Sequence, residues 1–196
     1  MSSQLISLIL FGIVASFSPG PNNIVTSYSA YNFGFKKTIP TMLGVISGWT
    51  LLSILLLFGS TIIFTKFENL QIIIKILGSA YLLFLAYKIS FDKIKSEKTA
   101  GKPVTFLNTF FFQFINPKSI ICGSTAVSLF VDLQSDYIRD SIIFVFVFFL
   151  AAVGSQTAWC LMGSYLRKFA TSEIFMSNFN YTMSFLLIVC VIMFYV

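Results

Sequence analysis

Long apolar blocks alternate with short polar stretches along this chain. A helix needs about 20 mostly apolar residues to cross the hydrocarbon core of a bilayer. Six blocks reach that length, and each predicts one membrane-spanning helix. The predicted spans are roughly residues 3–31, 39–64, 69–91, 106–131, 138–161 and 174–195. The first and fourth spans are unusually long and contain proline in mid-segment, so the pattern predicts an all-α membrane protein with helices 1 and 4 broken.

Composition supports the membrane class. Of the 196 residues, 57% are hydrophobic and only 10% are charged, whereas soluble domains carry about 25% charged residues. Too little polar surface remains to cover a soluble globule, and the length fits one transmembrane domain over residues 1–196. The net charge of +6 does not predict a nucleic-acid partner, because Lys and Arg lie between the apolar blocks. The expected surroundings are membrane lipid.

The positions of Lys and Arg predict the orientation, because these residues accumulate in cytoplasmic loops. The joints after spans 1, 3 and 5 carry nine of them: Lys36, Lys37, Lys88, Lys93, Lys95, Lys98, Lys102, Arg167 and Lys168. The other two joints carry only Lys66 and Arg139. The bias places the first set of joints in the cytoplasm and both termini outside.

The polar joint 92–105 divides the chain into two halves, about 1–91 and 106–196, each with three predicted spans. Because three is odd, the halves are antiparallel in the membrane, as in an inverted-topology repeat. Pro19 and Pro117 interrupt the first helix of their respective halves. The sequence therefore predicts two inverted three-helix repeats joined by a cytoplasmic loop.

The first interruption reads SPGPNN and places Pro19, Gly20, Pro21, Asn22 and Asn23 in succession. Proline lacks an N–H and clashes with the preceding turn, so two prolines around a glycine favour a break over a mild kink. The break frees backbone groups that are costly in hydrocarbon unless protein or a water-filled cavity satisfies them. The two asparagine amides can satisfy either these groups or a ligand.

The second interruption reads QFINPK and contains Gln113, Asn116, Pro117 and Lys118 in an apolar run. A lysine near mid-membrane costs about 2.5–3.5 kcal/mol, which favours a position facing the bundle interior or an aqueous cavity. The alternative is that Lys118 snorkels to the cytoplasmic interface. Broken helices at matching positions of two halves point to a transporter's substrate site. The free N–H groups at the half-helix starts, together with Lys118, suit a carboxylate.

Other chemistry is sparse. The chain has no histidine, which removes the usual nucleophile–base pairs and most transition-metal sites, so no enzyme activity, metal or cofactor is predicted. Cys122, Cys160 and Cys190 are isolated and predict single buried thiols. Gly44 and Gly48 form a GxxxG that predicts close helix packing. For Trp49 and Trp159, packing is favoured over lining a transport pathway.

These motifs resemble the LysE/RhtB family of amino-acid exporters. The similarity lies at SPGPNN, FGFKKTIPTMLGVISG, LGSAYLLFLAYKI and INPKSIICGSTAVSLF, and it follows the family's order over nearly the whole chain. Within the family, the chain is similar to the cysteine and O-acetylserine exporters at PGPNNI, KPVTF, GSTAVSLFV and FNYTMSFLLIVCVIMFY. The resemblance implies efflux across the bacterial inner membrane, driven by the proton gradient. It implies functional roles for Pro19, Gly20, Pro21, Asn22, Asn116, Pro117 and Lys118, to which the residue pattern adds Asn23 and Gln113 as substrate-binding candidates.

The acidic residues narrow the substrate. All seven lie at span ends or in joints: Glu68, Asp92, Glu97, Asp132, Asp136, Asp140 and Glu173. A basic amino acid would want a buried carboxylate, so the sequence favours neutral amino acids. Proton coupling is also left without an obvious carrier, and either Lys118 or a membrane-edge acid such as Asp132 would have to titrate.

Several alternatives remain open at this point. The exporter could instead carry threonine, homoserine, leucine or lysine. A thiol–disulfide relay would need paired cysteines, and a metal-ion exporter would need intramembrane thiolates, imidazoles or carboxylates. A non-transporting membrane scaffold would not need polar groups at two helix breaks. The sequence shows no interface, so it leaves a homodimer open.

Overall fold

The computed structural model describes residues 2–60, 68–91, 103–131, 137–168 and 173–195. Within these ranges the chain is helical and contains no strand. The first half forms α1 (Ser2–Phe17), α2 (Pro21–Phe33), α3 (Phe35–Leu55), an irregular turn (Leu56–Ser60) and α4 (Glu68–Phe91). The second half forms α5 (Phe106–Phe112), α6 (Pro117–Phe130), α7 (Tyr137–Lys168) and α8 (Glu173–Met193).

Among the described helices, three segments are long and apolar enough to cross a membrane: Phe35–Gly59, Ile72–Ser90 and Tyr137–Lys168. Helices α1 and α2 reach that length together, with a bend of 52° between them. These segments confirm an all-α membrane protein. The arrangement of six spans in two inverted repeats stays a prediction.

Both predicted breaks are present, at residues 18–20 between α1 and α2 and at residues 113–116 between α5 and α6. Helix α7 continues to Lys168, beyond the predicted end at 161, because backbone hydrogen bonding does not stop where the apolar block stops. The predicted orientation depends partly on Lys66, Lys93, Lys95, Lys98 and Lys102, which lie outside the described residues. Most of the predicted loop 92–105 lies outside them as well.

Two apolar clusters form most of the buried core. The first combines residues mainly of α1, α3, α6 and α7, such as Leu8, Trp49, Ile120 and Phe148. The second combines residues of α2, α4, α5 and α8, including Ile24, Leu82, Phe112 and Leu187. Each broken pair therefore gives one half-helix to each cluster, and the two breaks lie where the clusters meet.

Close packing around the second break depends on glycines of α3. A Cβ atom on Gly48 would lie 2.6 Å from the carbonyl oxygen of Phe110, and one on Gly44 would collide with the carbonyl oxygen of Phe106. Only glycine permits α5 to approach α3 this closely. The packing role predicted for the GxxxG pair is confirmed, and the contact fixes the short helix α5 beside the break.

Candidate functional site

The break after α1 leaves carbonyl groups without intrahelical partners, and side chains satisfy them. The Asn23 amide donates to the carbonyl oxygens of Ser16 at 2.8 Å and Ser18 at 3.0 Å. The hydroxyl of Ser155 on α7 also donates to the Ser16 carbonyl, at 2.7 Å. The backbone cost of the break is therefore met inside the protein, as the bilayer interior demands.

Lys118 extends from α6 to the same break. Its Nζ atom lies 2.8 Å from Ser18 Oγ, 3.3 Å from the Ser18 carbonyl oxygen and 3.2 Å from the Pro19 carbonyl oxygen. The C-terminal end of a helix carries partial negative charge, which favours an ammonium there. The structure directs the Lys118 ammonium to the first break, a position that favours an interior role over the snorkelling alternative. Its ammonium contacts carbonyl and hydroxyl oxygens, whereas the sequence suggested a role toward a carboxylate.

Gly20 provides the space for this contact. A Cβ atom built on Gly20 would lie 2.7 Å from Lys118 Nζ and 3.1 Å from Lys118 Cδ. The backbone at Gly20 is extended, with φ of −173° and ψ of 173°, so its conformation does not require glycine. The absence of a side chain at Gly20 leaves the space that the end of the Lys118 side chain occupies.

A reciprocal amide pair joins the two breaks. Asn22 Nδ2 donates to Gln113 Oε1 at 2.9 Å, and Gln113 Nε2 donates to Asn22 Oδ1 at 3.0 Å. Gln113 is fully buried, and it also donates to the Thr109 carbonyl and accepts from the Ser119 hydroxyl. The pair links residues 91 positions apart in sequence and fixes the two broken helices against each other.

The two half-helices after the breaks start differently. At α6, the Asn116 side chain accepts from the Lys118 backbone N–H at 3.2 Å, and Pro117 takes the first helical position. At α2, Pro21 follows Gly20, which has no side chain to cap the helix. Proline is well suited to a first helical position because an N–H there has no intrahelical partner. The first turn of α2 therefore keeps uncapped N–H groups.

A cavity of about 70 Å³ lies at the junction of the breaks. Its polar wall comes from Ser16, Asn22, Asn23, Asn116, Lys118, Ser119, Ser155 and Gln156. Its apolar wall includes Val45, Trp49, Phe148 and Ala152. Because one water needs roughly 10–15 Å³ of such space, the cavity has room for a small ligand.

The structure brings most of the predicted site residues together. The cavity wall includes Gly20, Pro21, Asn22, Asn23, Asn116 and Lys118. Gln113 lies behind that wall through its pair with Asn22. Pro19 and Pro117 do not line the cavity; Pro19 offers its carbonyl oxygen to Lys118, and Pro117 begins α6.

Sequence reasoning missed the contribution of α7. Gln156 is 2% exposed, donates to Asn23 Oδ1 at 2.8 Å and accepts from the Thr26 hydroxyl at 2.5 Å. With Ser155 it forms the third side of the polar wall. The adjacent polar residues in the GSQT stretch of an otherwise apolar span were the available signal.

The tryptophans and cysteines agree only in part with the predictions from the sequence. Trp49 packs against Phe148 at 5.6 Å between ring centroids but also lines the cavity. Trp159 donates its indole N–H to the Phe17 carbonyl at 3.3 Å. All three cysteines are free: Cys160 is buried, whereas Cys122 and Cys190 are half-buried, and Cys122 also lines the cavity.

No Asp or Glu of the described residues lines the cavity. Asp140 forms an ion pair with Arg139 at 3.2 Å. Asp132, the other candidate proton carrier, lies outside the described part of the chain. Within that part, no group of three or more His, Cys, Asp or Glu side chains could hold a metal ion.

Two discontinuous helices that meet around a polar cavity in a membrane bundle are typical of one class of protein, the membrane transporters. Comparison with known families agrees with that class. The family of LysE type translocators matches residues 13–196, and the chain belongs to this family. It is therefore a transporter rather than an enzyme.

Individual relatives cover nearly the full chain. The cysteine/O-acetylserine efflux protein of Salmonella paratyphi A is 28% identical over 196 residues, which is 98% of each chain. The cysteine/O-acetylserine efflux protein of Escherichia coli K12 is 28% identical over 185 residues, 93% of this chain and 92% of that protein. No solved structure matches this chain significantly. The membrane helices and these enterobacterial relatives support a multi-pass protein of the bacterial inner membrane.

Proposed function

We propose that this protein exports a small neutral amino acid, of the cysteine or O-acetylserine kind, from the cytoplasm. The observation that carries the proposal is the polar cavity between the two helix breaks, joined by the Asn22–Gln113 pair. Substrate sites of secondary transporters lie at such junctions. The family and the two efflux relatives point in the same direction.

The first break offers complementary ends to an amino-acid zwitterion. The end of α1 presents the carbonyl oxygens of Ser18 and Pro19, which suit the substrate ammonium. The start of α2 presents N–H groups without a side-chain cap, which suit the substrate carboxylate. The start of α2 lines the cavity, and Lys118 of the cavity wall contacts the Ser18 and Pro19 carbonyls directly behind it, so the two ends are close enough for one zwitterion.

The rest of the cavity selects for a small side chain without charge. Val45, Trp49 and Phe148 form its apolar wall, and its volume is about 70 Å³. The buried indole N–H of Trp49 has no hydrogen-bond partner in the described structure, so this wall holds one unused donor. A basic side chain would find no carboxylate among the described lining residues. A side chain with a hydroxyl, thiol or ester group fits better.

The transport cycle that we propose uses two inverted three-helix halves. Each half contributes one broken helix, and each break joins the two apolar clusters. Rocking of one half against the other would expose the cavity to the cytoplasm and the outside in turn, with export driven by the proton gradient. In this proposal the single domain spans the membrane six times, with both termini outside.

The test is transport into inside-out membrane vesicles, where export appears as uptake. Labelled cysteine, O-acetylserine, threonine, leucine and lysine are compared with and without a protonophore. We expect protonophore-sensitive uptake of cysteine or O-acetylserine. Asn22→Ala, which loses a cavity-lining amide, should reduce uptake about ten-fold or more while the protein still inserts. Asn116→Ala should lose uptake too, because α6 loses its cap.

Each other result has a distinct meaning. Uptake of threonine or leucine alone would contradict the proposed substrate but not amino-acid export. Uptake of lysine would contradict the argument from the missing carboxylate. No uptake of any amino acid by a correctly inserted protein would overturn the proposed function and favour a scaffold.

A further inference from the structure

Lys118 holds its own ammonium where the proposed function places the ammonium of the substrate. Its Nζ atom contacts three oxygens, which we call the oxygen cage: Ser18 Oγ, the Ser18 carbonyl and the Pro19 carbonyl. A lysine ammonium has three donors, so the cage can satisfy all of them. A free amino acid carries the same chemical group, and the cage is part of the same break.

We propose, as an inference that rests on the proposed function, that Lys118 and the substrate ammonium compete for the oxygen cage. Each export cycle then exchanges one for the other. Lys118 is half-buried at the cavity wall, and its ammonium is paired with oxygen dipoles rather than with a carboxylate of the described residues. No fixed ion pair therefore has to break when it leaves. Gly20, beside the cage, has no side chain to obstruct the Lys118 ammonium.

The exchange supplies a route for proton coupling. In the cytoplasm-facing state, Lys118 gives its proton to cavity water and leaves the cage as a neutral amine, and the zwitterion enters. In the outward-facing state the substrate departs, and Lys118 takes a proton from outside water before it returns to the cage. One proton enters and one zwitterion leaves in each cycle, so one positive charge moves inward.

Few titratable groups of the described residues surround Lys118, so the role of proton carrier falls to the lysine itself. Among the described residues, the titratable groups that interact electrostatically with it are the thiols of Cys122 on α6 and Cys190 on α8. The first break faces it with carbonyls and a hydroxyl. Helix α7 supplies hydroxyl and amide groups of Ser155 and Gln156 to the cavity, and α3 supplies Val45 and Trp49. None of these α3 and α7 side chains exchanges a proton near neutral pH.

The experiment uses the full-length protein in proteoliposomes with two readouts. Counterflow of labelled against unlabelled amino acid needs no net proton movement, whereas accumulation against a gradient and proton flux, followed by an internal pH dye, require coupling. Lys118→Gln should lose accumulation and substrate-driven proton flux, with at least about a ten-fold fall in their ratio to counterflow. Lys75→Gln, a half-buried lysine on α4 that does not line the cavity, is the matched control and should retain the wild-type ratio.

Lys118→Arg covers the case in which the glutamine variant fails to fold. An arginine keeps its charge at all accessible pH values, so it should occupy the cage permanently and suppress both counterflow and accumulation. Proton-coupled accumulation by either Lys118 variant would overturn the proposal. Loss of counterflow in a folded Lys118→Gln protein would overturn it as well, because Lys118 would then be a substrate ligand. If wild-type protein exchanges no amino acid, the proposed function fails instead.

Discussion

Asn23 shows at the residue scale how a helix break is stabilised and used. Its amide nitrogen donates to two freed carbonyls of the first break, and its amide oxygen accepts from Gln156 and lies 3.2 Å from the Ser155 hydroxyl oxygen. The side chain is 4% exposed. It therefore satisfies the break and sets the positions of two α7 side chains in the cavity wall.

Asn23→Ala should lower stability as well as transport. The change leaves two carbonyl oxygens with fewer donors and the Gln156 amide without its acceptor, and each buried unpaired group costs about 1–3 kcal/mol. At roughly 2–4 °C per kcal/mol for a chain of this size, the midpoint of thermal unfolding in detergent should fall measurably. Asn178→Ala, an exposed asparagine on α8, is the control and should leave the midpoint unchanged. An equal effect of both substitutions would contradict the role assigned to Asn23.

At the element scale, the position of α5 depends on a close contact between Gly48 of α3 and the backbone of α5. The neighbours of Gly48 are the Phe110 carbonyl oxygen at 2.6 Å and Gln113 Cγ at 2.9 Å, measured from an ideal Cβ position. A backbone carbonyl cannot rotate away as a side chain can. The approach of α3 therefore controls where Gln113 lies, and through it the amide pair with Asn22.

Two glycine-to-alanine substitutions distinguish the effect of this contact on stability from the effect of helix propensity. Gly48→Ala should destabilise the protein by about 1–3 kcal/mol, as overpacking does, and should reduce uptake into vesicles. Gly154→Ala places a Cβ 3.5 Å from the Phe17 ring, an ordinary contact, and should be neutral or stabilising by up to about 1 kcal/mol. Midpoints of thermal unfolding, measured in parallel for the two variants, test this difference. Similar midpoints for both variants would show that α3 and α5 are not in tight contact.

At the scale of the whole molecule, the parts that could be predicted are those with local causes. Two prolines around Gly20 and one at Pro117 mark the breaks because proline acts on its own turn. The target of Lys118 could not be predicted, because it depends on space beside Gly20, and Ser18 is 100 residues away in sequence. The role of Gln156 was missed for a similar reason, since span composition does not tell which face of α7 meets Asn23.

Cys122 offers a natural probe of alternating access, since it lines the cavity and lies one turn from Lys118 on α6. In a variant that keeps only Cys122, a small charged thiol reagent that does not cross membranes should react in intact cells and in inside-out vesicles, because rocking opens the cavity to each side in turn. Cysteine would itself react with the reagent, so O-acetylserine is the ligand of choice, and it should slow the reaction. A variant that keeps only the fully buried Cys160 is the control and should stay unmodified. Reaction from one face alone, under proton gradients of either direction, would show that the cavity does not alternate between the two sides and would contradict the rocking of the two halves.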